Sequence, residues 1–384
     1  MAVKIGSLFT GYGGLDMAAE AAFDATTAWV ADIDKGACKV LAHRYPDVPN
    51  LGDITVTDWS TVEPVDIITG GSPCQDLSHA GRRAGMTEGT RSNLWVAMRE
   101  AIAQIRPAYV IWENVRGAYS AAADSAVEPC PGCVGDGSGV NLRALHRVLG
   151  DLSDLGYDCQ WRGLRAADVG APHERFRVFV VARLADAERG GRNGRSRTPR
   201  RSPFERVATD GRPQGALLPT PRSSDGDKGL RTLAGATTEF ARKGDGADLA
   251  TILALLPTPA VNDMGAGKSI DQWDAWTERM KREHGNGNGH GASLAIELER
   301  LGGTWKRFAP TVLRWERVVD REAPAPSEGA LVREWMMGLP AGWITDVPGV
   351  TRNEALKACG NGVVPQQAFA AITDSLAAWA EAAA

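Results

Sequence analysis

The sequence predicts an α/β fold: a doubly wound sheet with helices on both faces, joined to a smaller and less regular unit. Three observations carry this. Short apolar runs alternate with amphipathic stretches from the start to about Ala187, the pattern of a parallel sheet with crossover helices. A glycine-rich turn, Gly11-Tyr12-Gly13-Gly14, stands between the first apolar run and the first amphipathic stretch. After Ala187 the texture breaks, and seven arginines between Arg189 and Arg206 lie among Gly, Ser and Pro with few apolar residues.

Taken in order, the expected strands are Ile5 to Phe9, Thr27 to Ala31, Val65 to Thr69, Tyr109 to Trp112 and Val178 to Ala182. Each is a short apolar run bounded by turn-forming or charged residues. Helices are expected at Leu15 to Ala22, Lys35 to Arg44, Asn93 to Ile105 and Leu142 to Leu155, where apolar residues recur at three- and four-residue spacing. In the second half, Leu217-Leu218-Pro219-Thr220-Pro221 is repeated as Leu255-Leu256-Pro257-Thr258-Pro259, which predicts two related loops. Regular structure resumes with a helix at Leu331 to Met337 and a terminal helix at Gln366 to Ala384, so the C-terminal part is expected to return to the first domain.

With 384 residues, two domains are the expectation. A net charge of −4 gives no global basic signature, so a nucleic-acid surface would have to come from local clustering. The six cysteines are scattered apart from Cys130-x-x-Cys133, unlike the framework of a small secreted protein, and a reducing cytoplasm is expected. No apolar run spans a bilayer, and the first residues lead into a strand without the layout of a signal peptide. The Cys130/Cys133 pair is half a zinc site with no second pair to complete four ligands, so no metal is expected.

Several segments carry chemistry. Phe9-Thr10-Gly11-Tyr12-Gly13-Gly14 opens a helix after a strand, which lets backbone approach a cofactor or makes a tight corner. Asp32 and Asp53 fall near strand ends, where an acid meets ribose hydroxyls or stands as a solvated loop residue. The decisive stretch is Gly70-Gly71-Ser72-Pro73-Cys74-Gln75-Asp76-Leu77-Ser78. It puts a cysteine at the carboxyl edge of a strand, with Arg82 and Arg83 following to favour its thiolate. Glu113, in Trp112-Glu113-Asn114-Val115, ends the next strand at the same edge. Arg175 and Arg177 precede or enter the last strand, and alternation would send both to one face.

In order, Phe9-x-Gly11-x-Gly13-Gly14, Pro73-Cys74-Gln75, Glu113-Asn114-Val115, Arg175-x-Arg177 and Gly360-Asn361-x-Val363-x-Pro365 resemble the motif series of the cytosine-5 DNA methyltransferases. The stretch Val332 to Pro340, with the Leu-Pro-Thr-Pro repeat and Trp315-Glu316, resembles versions found in phages and actinobacteria. The resemblance implies a Rossmann-like class I S-adenosylmethionine-dependent methyltransferase domain over residues 1–185 plus 327–384. A target-recognition domain would occupy residues 186–326. It implies methyl transfer from S-adenosylmethionine, leaving S-adenosylhomocysteine, to C5 of a flipped-out cytosine in double-stranded DNA. Cys74 resembles the nucleophile that adds to C6, Glu113 the acid at N3, and Arg175 the arginine that holds the base with Arg177 in support. For the cofactor it implies Phe9, Gly11, Gly13 and Gly14 around the methionine part, Asp32 on ribose, Ile33 and Asp53 at adenine, and Pro73, Leu94 and Asn361 lining the rest. Arg82 and Arg83 would touch DNA phosphates, and the expected protein is a cytoplasmic monomer, with a cognate restriction endonuclease as a further partner.

Two positions depart from the family pattern: Asp32 stands where a longer Glu is usual, and His173 where a Gln is usual. A transfer-RNA methylating branch shares the chemistry, and a catalytically silent DNA-binding relative would have lost Cys74 or Glu113. A nicotinamide-dependent oxidoreductase accounts for the glycine turn alone.

Overall fold

The computed structural model describes residues 2–72, 94–119, 122–123, 142–185, 216–224, 233–255, 272, 275–279, 282, 305–326 and 328–383. The first half runs β1 (Val3–Leu8), α1 (Gly14–Phe23), β2 (Ala25–Ala31), α2 (Lys35–Arg44), β3 (Ile67–Gly70), α3 (Leu94–Ile105) and β4 (Tyr109–Val115). A two-residue ladder, β5 (Ala122–Ala123) with β6 (Leu142–Arg143), precedes α4 (Ala144–Asp154), β7 (Tyr157–Arg165) and β8 (Phe176–Leu184). The remaining helices are α5 (Leu233–Lys243), α6 (Leu249–Leu255), α7 (Ala309–Val319), α8 (Gly329–Met336), α9 (Arg352–Asn361) and α10 (Pro365–Ala383).

The main sheet has six strands in the order β2-β1-β3-β4-β8-β7. β2, β1, β3 and β4 are parallel, whereas β8 pairs antiparallel with both β4 and β7. This corrects the all-parallel expectation. Only the short stretch between Arg165 and Phe176 joins β7 to β8, and a parallel return needs a longer crossover than that. Strand β7 itself escaped sequence reading because it is an edge strand: Tyr157 is its one buried residue, and Asp158, Gln160 and Arg162 interrupt any apolar run.

Alternation along the strands divides the core. Leu8, Ile68, Val110, Trp112, Val178 and Val180 face α3 and α4, meeting Trp95, Met98, Ile102, Val148 and Leu152. Ile5, Ile67, Ile111, Phe179 and Val181 face α1 and α10, meeting Leu15, Ala18, Phe369 and Ile372. A third cluster joins Leu218, Phe308 and Trp315 of the middle region to Trp335 and Met336 of α8 and to Tyr12 and Val40. The C-terminal helix, expected from its periodicity, packs on one face of the N-terminal sheet. The strand order reverses direction at β1, between β2 and β3, and in such sheets ligands bind at the carboxyl ends beside that point. Among the described residues, no helix is long and apolar enough to cross a membrane.

Candidate active site

The turn after β1 is built for close backbone approach. Phe9, Gly11 and Gly13 all take positive φ (54°, 61° and 86°), and Gly13 is the N-cap of α1 with no side chain capping the helix. The first amides of α1 are therefore not claimed by a capping side chain, which suits an anionic group such as a carboxylate. Gly11 N–H donates to Asp32 Oδ2 at 2.8 Å, and Asp34 N–H donates to Asp32 Oδ1 at 2.8 Å. Burial raises the Asp32 carboxyl above the usual aspartate range, against these two backbone donors. Beside it Ile33 is 70% exposed, an apolar surface at a sheet edge where a flat ring could lie.

Residues outside the predicted set hold this turn. Asn50 accepts from Asp32 N–H and Gly52 N–H and donates to the Asp32 carbonyl, which ties the β2 end to the loop bearing Asp53. Tyr12 is buried; its hydroxyl donates to the Val363 carbonyl at 2.6 Å, and its own carbonyl accepts from Trp343 Nε1 at 2.9 Å. Trp343 is in turn packed by the Arg44 guanidinium, 5.0 Å from its ring. The buried Glu334 accepts from the amides of Gly342, Ile344 and Thr345 and so shapes the loop that presents Trp343. Sequence gave one cue to this set, an aromatic residue inside a glycine turn; the partners lie more than 300 residues away.

At the carboxyl edge of β4, Glu113 is 7% exposed and pairs with Arg177 Nε at 2.7 Å. The register explains the pair: Glu113 opposes Phe179 and Val115 opposes Arg177, so acid and base are diagonal neighbours on one face. Burial pushes the Glu113 carboxyl up, and Arg177 and then Arg175 pull it back without cancelling the shift. The β3 end is packed against it. A methyl added at Gly71 would lie 2.9 Å from Glu113 Oε2, so only glycine fits there without displacing the carboxyl. Ser72 is fixed as well, its hydroxyl accepting from Trp112 Nε1 at 3.1 Å and its carbonyl from Asn114 Nδ2 at 3.2 Å.

Arg175 is held by backbone carbonyls as well as standing near Glu113. It precedes β8 with φ 24°, and its guanidinium donates to the carbonyls of Pro221 (3.3 Å), Gly360 (3.0 Å) and Gly362. Nearby, fully buried His173 places Nε2 3.0 Å from the Met336 carbonyl, so the proton sits on Nε2.

The sequence model of a family described as C-5 cytosine-specific DNA methylase matches residues 3–211. The chain belongs to this family. Among curated methylase relatives, the type II methyltransferase M.AquIA of Picosynechococcus sp. is 31% identical over 190 residues, 47% of this chain and 72% of that protein. The type II methyltransferase M.NgoFVII of Neisseria gonorrhoeae is 31% identical over 180 residues, 46% of this chain and 43% of that protein. The chain thus spans less than half of the second relative's length. The crystal structure of the S. pombe Dnmt2 methyltransferase has a TM-score of 0.50 at 13% identity, over 96% of each chain, which shows the fold.

Of the methylase residues named from sequence, Phe9, Gly11, Gly13, Gly14, Asp32 and Ile33 gather around the β1 and β2 ends. Asp53 is exposed, and its Oδ1 accepts from both the amide and hydroxyl of Thr55. Leu94 is half-buried at the start of α3, and Asn361 is exposed at the end of α9. Pro73, Cys74, Arg82 and Arg83 lie outside the described residues, as do Cys130 and Cys133. Among the described residues no group of His, Cys, Asp and Glu could hold a metal.

Proposed function

We propose that this protein transfers a methyl group from S-adenosylmethionine to C5 of a flipped-out cytosine in double-stranded DNA, through a covalent adduct with Cys74. The observation that carries the reading is the buried Glu113–Arg177 pair packed against Gly71, three residues before Cys74 in the chain. Ser72, bonded to β4 beside Glu113, stands two residues before Cys74 in the sequence, which supports assigning sulfur and carboxyl to one reaction.

The residues fit the cofactor. The uncapped start of α1 suits its carboxylate, Asp32 its ribose, and exposed Ile33 the face of its adenine. When bound, S-adenosylmethionine supplies an electrophilic methyl group.

The protein's own groups make cytosine reactive enough to take it. A cytosine ring is a weak nucleophile at C5 until a nucleophile adds to C6, and Cys74 as thiolate forms that C–S bond. Electron density then moves toward N3, where Glu113 in its acid form donates a proton. Its raised pKa keeps that proton available at higher pH than an ordinary glutamate would. Arg177 holds the carboxyl in place and supplies positive charge beside the base. After C5 has taken the methyl, the C5 proton leaves to water, the C–S bond breaks to return the thiolate, and N3 returns its proton to Glu113.

The test incubates purified protein with methyl-labelled S-adenosylmethionine and either double-stranded DNA or transfer RNA. Label is expected in DNA, as 5-methylcytosine on nucleoside analysis. Label in transfer RNA alone, or at another atom of the base, would refute the assigned substrate.

A further inference from the structure

The first copy of the Leu-Pro-Thr-Pro repeat is a loop, as expected, and it lies against the residues that lead into β8. Leu218 is buried, and its N–H donates to the Pro172 carbonyl at 2.7 Å. Thr220 Oγ1 accepts from Arg175 N–H at 3.2 Å, and the Pro221 carbonyl accepts from the Arg175 guanidinium. The same guanidinium donates to the carbonyls of Gly360 in the last turn of α9 and Gly362 just after it. Contact with that turn is close: a methyl at Gly360 would fall 2.0 Å from Ser223 N and 2.3 Å from the Arg222 carbonyl carbon. Residues 218–223 thus form a strap, pinned on one side by Arg175 and seated on the other against Gly360.

We infer that this strap couples target recognition to the base pocket, with Arg175 as the positioning residue that fastens it. The inference rests on the proposed function, since the strap belongs to the stretch assigned to target recognition. Arg175 is two residues from Arg177, the partner of Glu113, and its charge acts on the Glu113 carboxyl. A recognition region bound to the wrong sequence pulls on the strap, and the strain reaches the β8 edge where the base is held. A lysine cannot replace this arginine, because one ammonium cannot span three carbonyls on two separate segments.

Thr220→Val removes the hydroxyl that accepts from Arg175 N–H while keeping the side chain's size. Gly360→Ala forces the strap backbone away, and Arg175→Lys keeps charge but loses the span. In each variant kcat on DNA is expected to fall about tenfold or more, with KM for S-adenosylmethionine within about twofold. Bisulfite sequencing of DNA from expressing cells is expected to show methylation spreading to cytosines outside the wild-type context. Hydrogen exchange gives a readout independent of activity: the Leu218 and Arg175 amides are protected in wild type and exchange at least tenfold faster in Thr220→Val. If Gly360→Ala does not fold, Thr220→Val alone decides the matter. Wild-type protein that methylates DNA, with variants matching it in rate, context and exchange, overturns the strap. Wild-type protein inactive on DNA cytosine overturns the function instead, while protected amides would still bear out the fastening.

Discussion

Glu113→Gln lowers kcat on DNA by at least about a hundredfold, while binding of S-adenosylmethionine stays within about twofold of wild type. The substitution keeps the side chain's shape and its place beside Gly71 and Arg177, and takes away only the transferable proton and the charge. Positioned proton transfer contributes on the order of 10² to 10⁴ in rate, and the amide retains only a hydrogen bond to N3. The pH profile gives the sign. Glu113 acts in its acid form, and burial raises its pKa, so activity attributable to it is lost as pH rises through that raised value. Glu113→Gln has no such limb. Steady-state rates between pH 5.5 and 9, with cofactor affinity measured separately, check both parts. A variant with near-normal turnover, or one whose deficit lies wholly in cofactor affinity, contradicts the assignment.

The second large effect concerns acid stability. Burial, aided by Arg175 and Arg177, pulls the His173 pKa down to about 3, against the opposing pull of the Met336 carbonyl. In the unfolded chain His173 protonates near 6.5, so between those values the unfolded state binds the extra proton. The stability this residue contributes is fully present above about pH 6.5 and is lost progressively as pH falls towards 3. At 1.36 kcal/mol per pH unit the loss is about 2 kcal/mol by pH 5. His173→Gln keeps a donor for the Met336 carbonyl and cannot be protonated. Its unfolding midpoint should therefore fall less than wild type's between pH 7.5 and pH 5, by a difference of about 2 to 3 °C. Asp16, buried and held up at about 6, runs in the opposite direction in both proteins and cancels from the comparison. Equal acid dependence in the two proteins would show that His173 is not the sensitive group.

The fold is most legible in the sequence where local pattern and chemistry coincide. The strands leading to Gly11, Gly71 and Glu113 were legible as apolar runs, and the elements ending at those residues do meet at one edge of the sheet. The Glu113–Arg177 pair follows from strand register, which one chain does not display until β4 and β8 are known to be antiparallel neighbours. Arg175 and Arg177 share a parity, and parity was expected to give them a common face. The positive φ at Arg175, just outside β8, sends it instead to carbonyls drawn from two distant segments. Asn50, Trp343 and Glu334 act through backbone amides and carbonyls. Backbone groups are common to every residue, so no motif announces such partners. The Leu-Pro-Thr-Pro repeat was visible as a repeat, but its attachment to Arg175 was not, because nothing in its composition names a partner.

The most direct test of the account replaces cytosine in a methylatable duplex with 5-fluorocytosine and supplies S-adenosylmethionine. A sulfur nucleophile that adds to C6 cannot be released by loss of a C5 proton when fluorine occupies that position. The account predicts a protein–DNA adduct that survives denaturation and maps by peptide mass spectrometry to Cys74, abolished in Cys74→Ser and slowed in Glu113→Gln. An active protein that forms no adduct, or one attached through another residue, would contradict it.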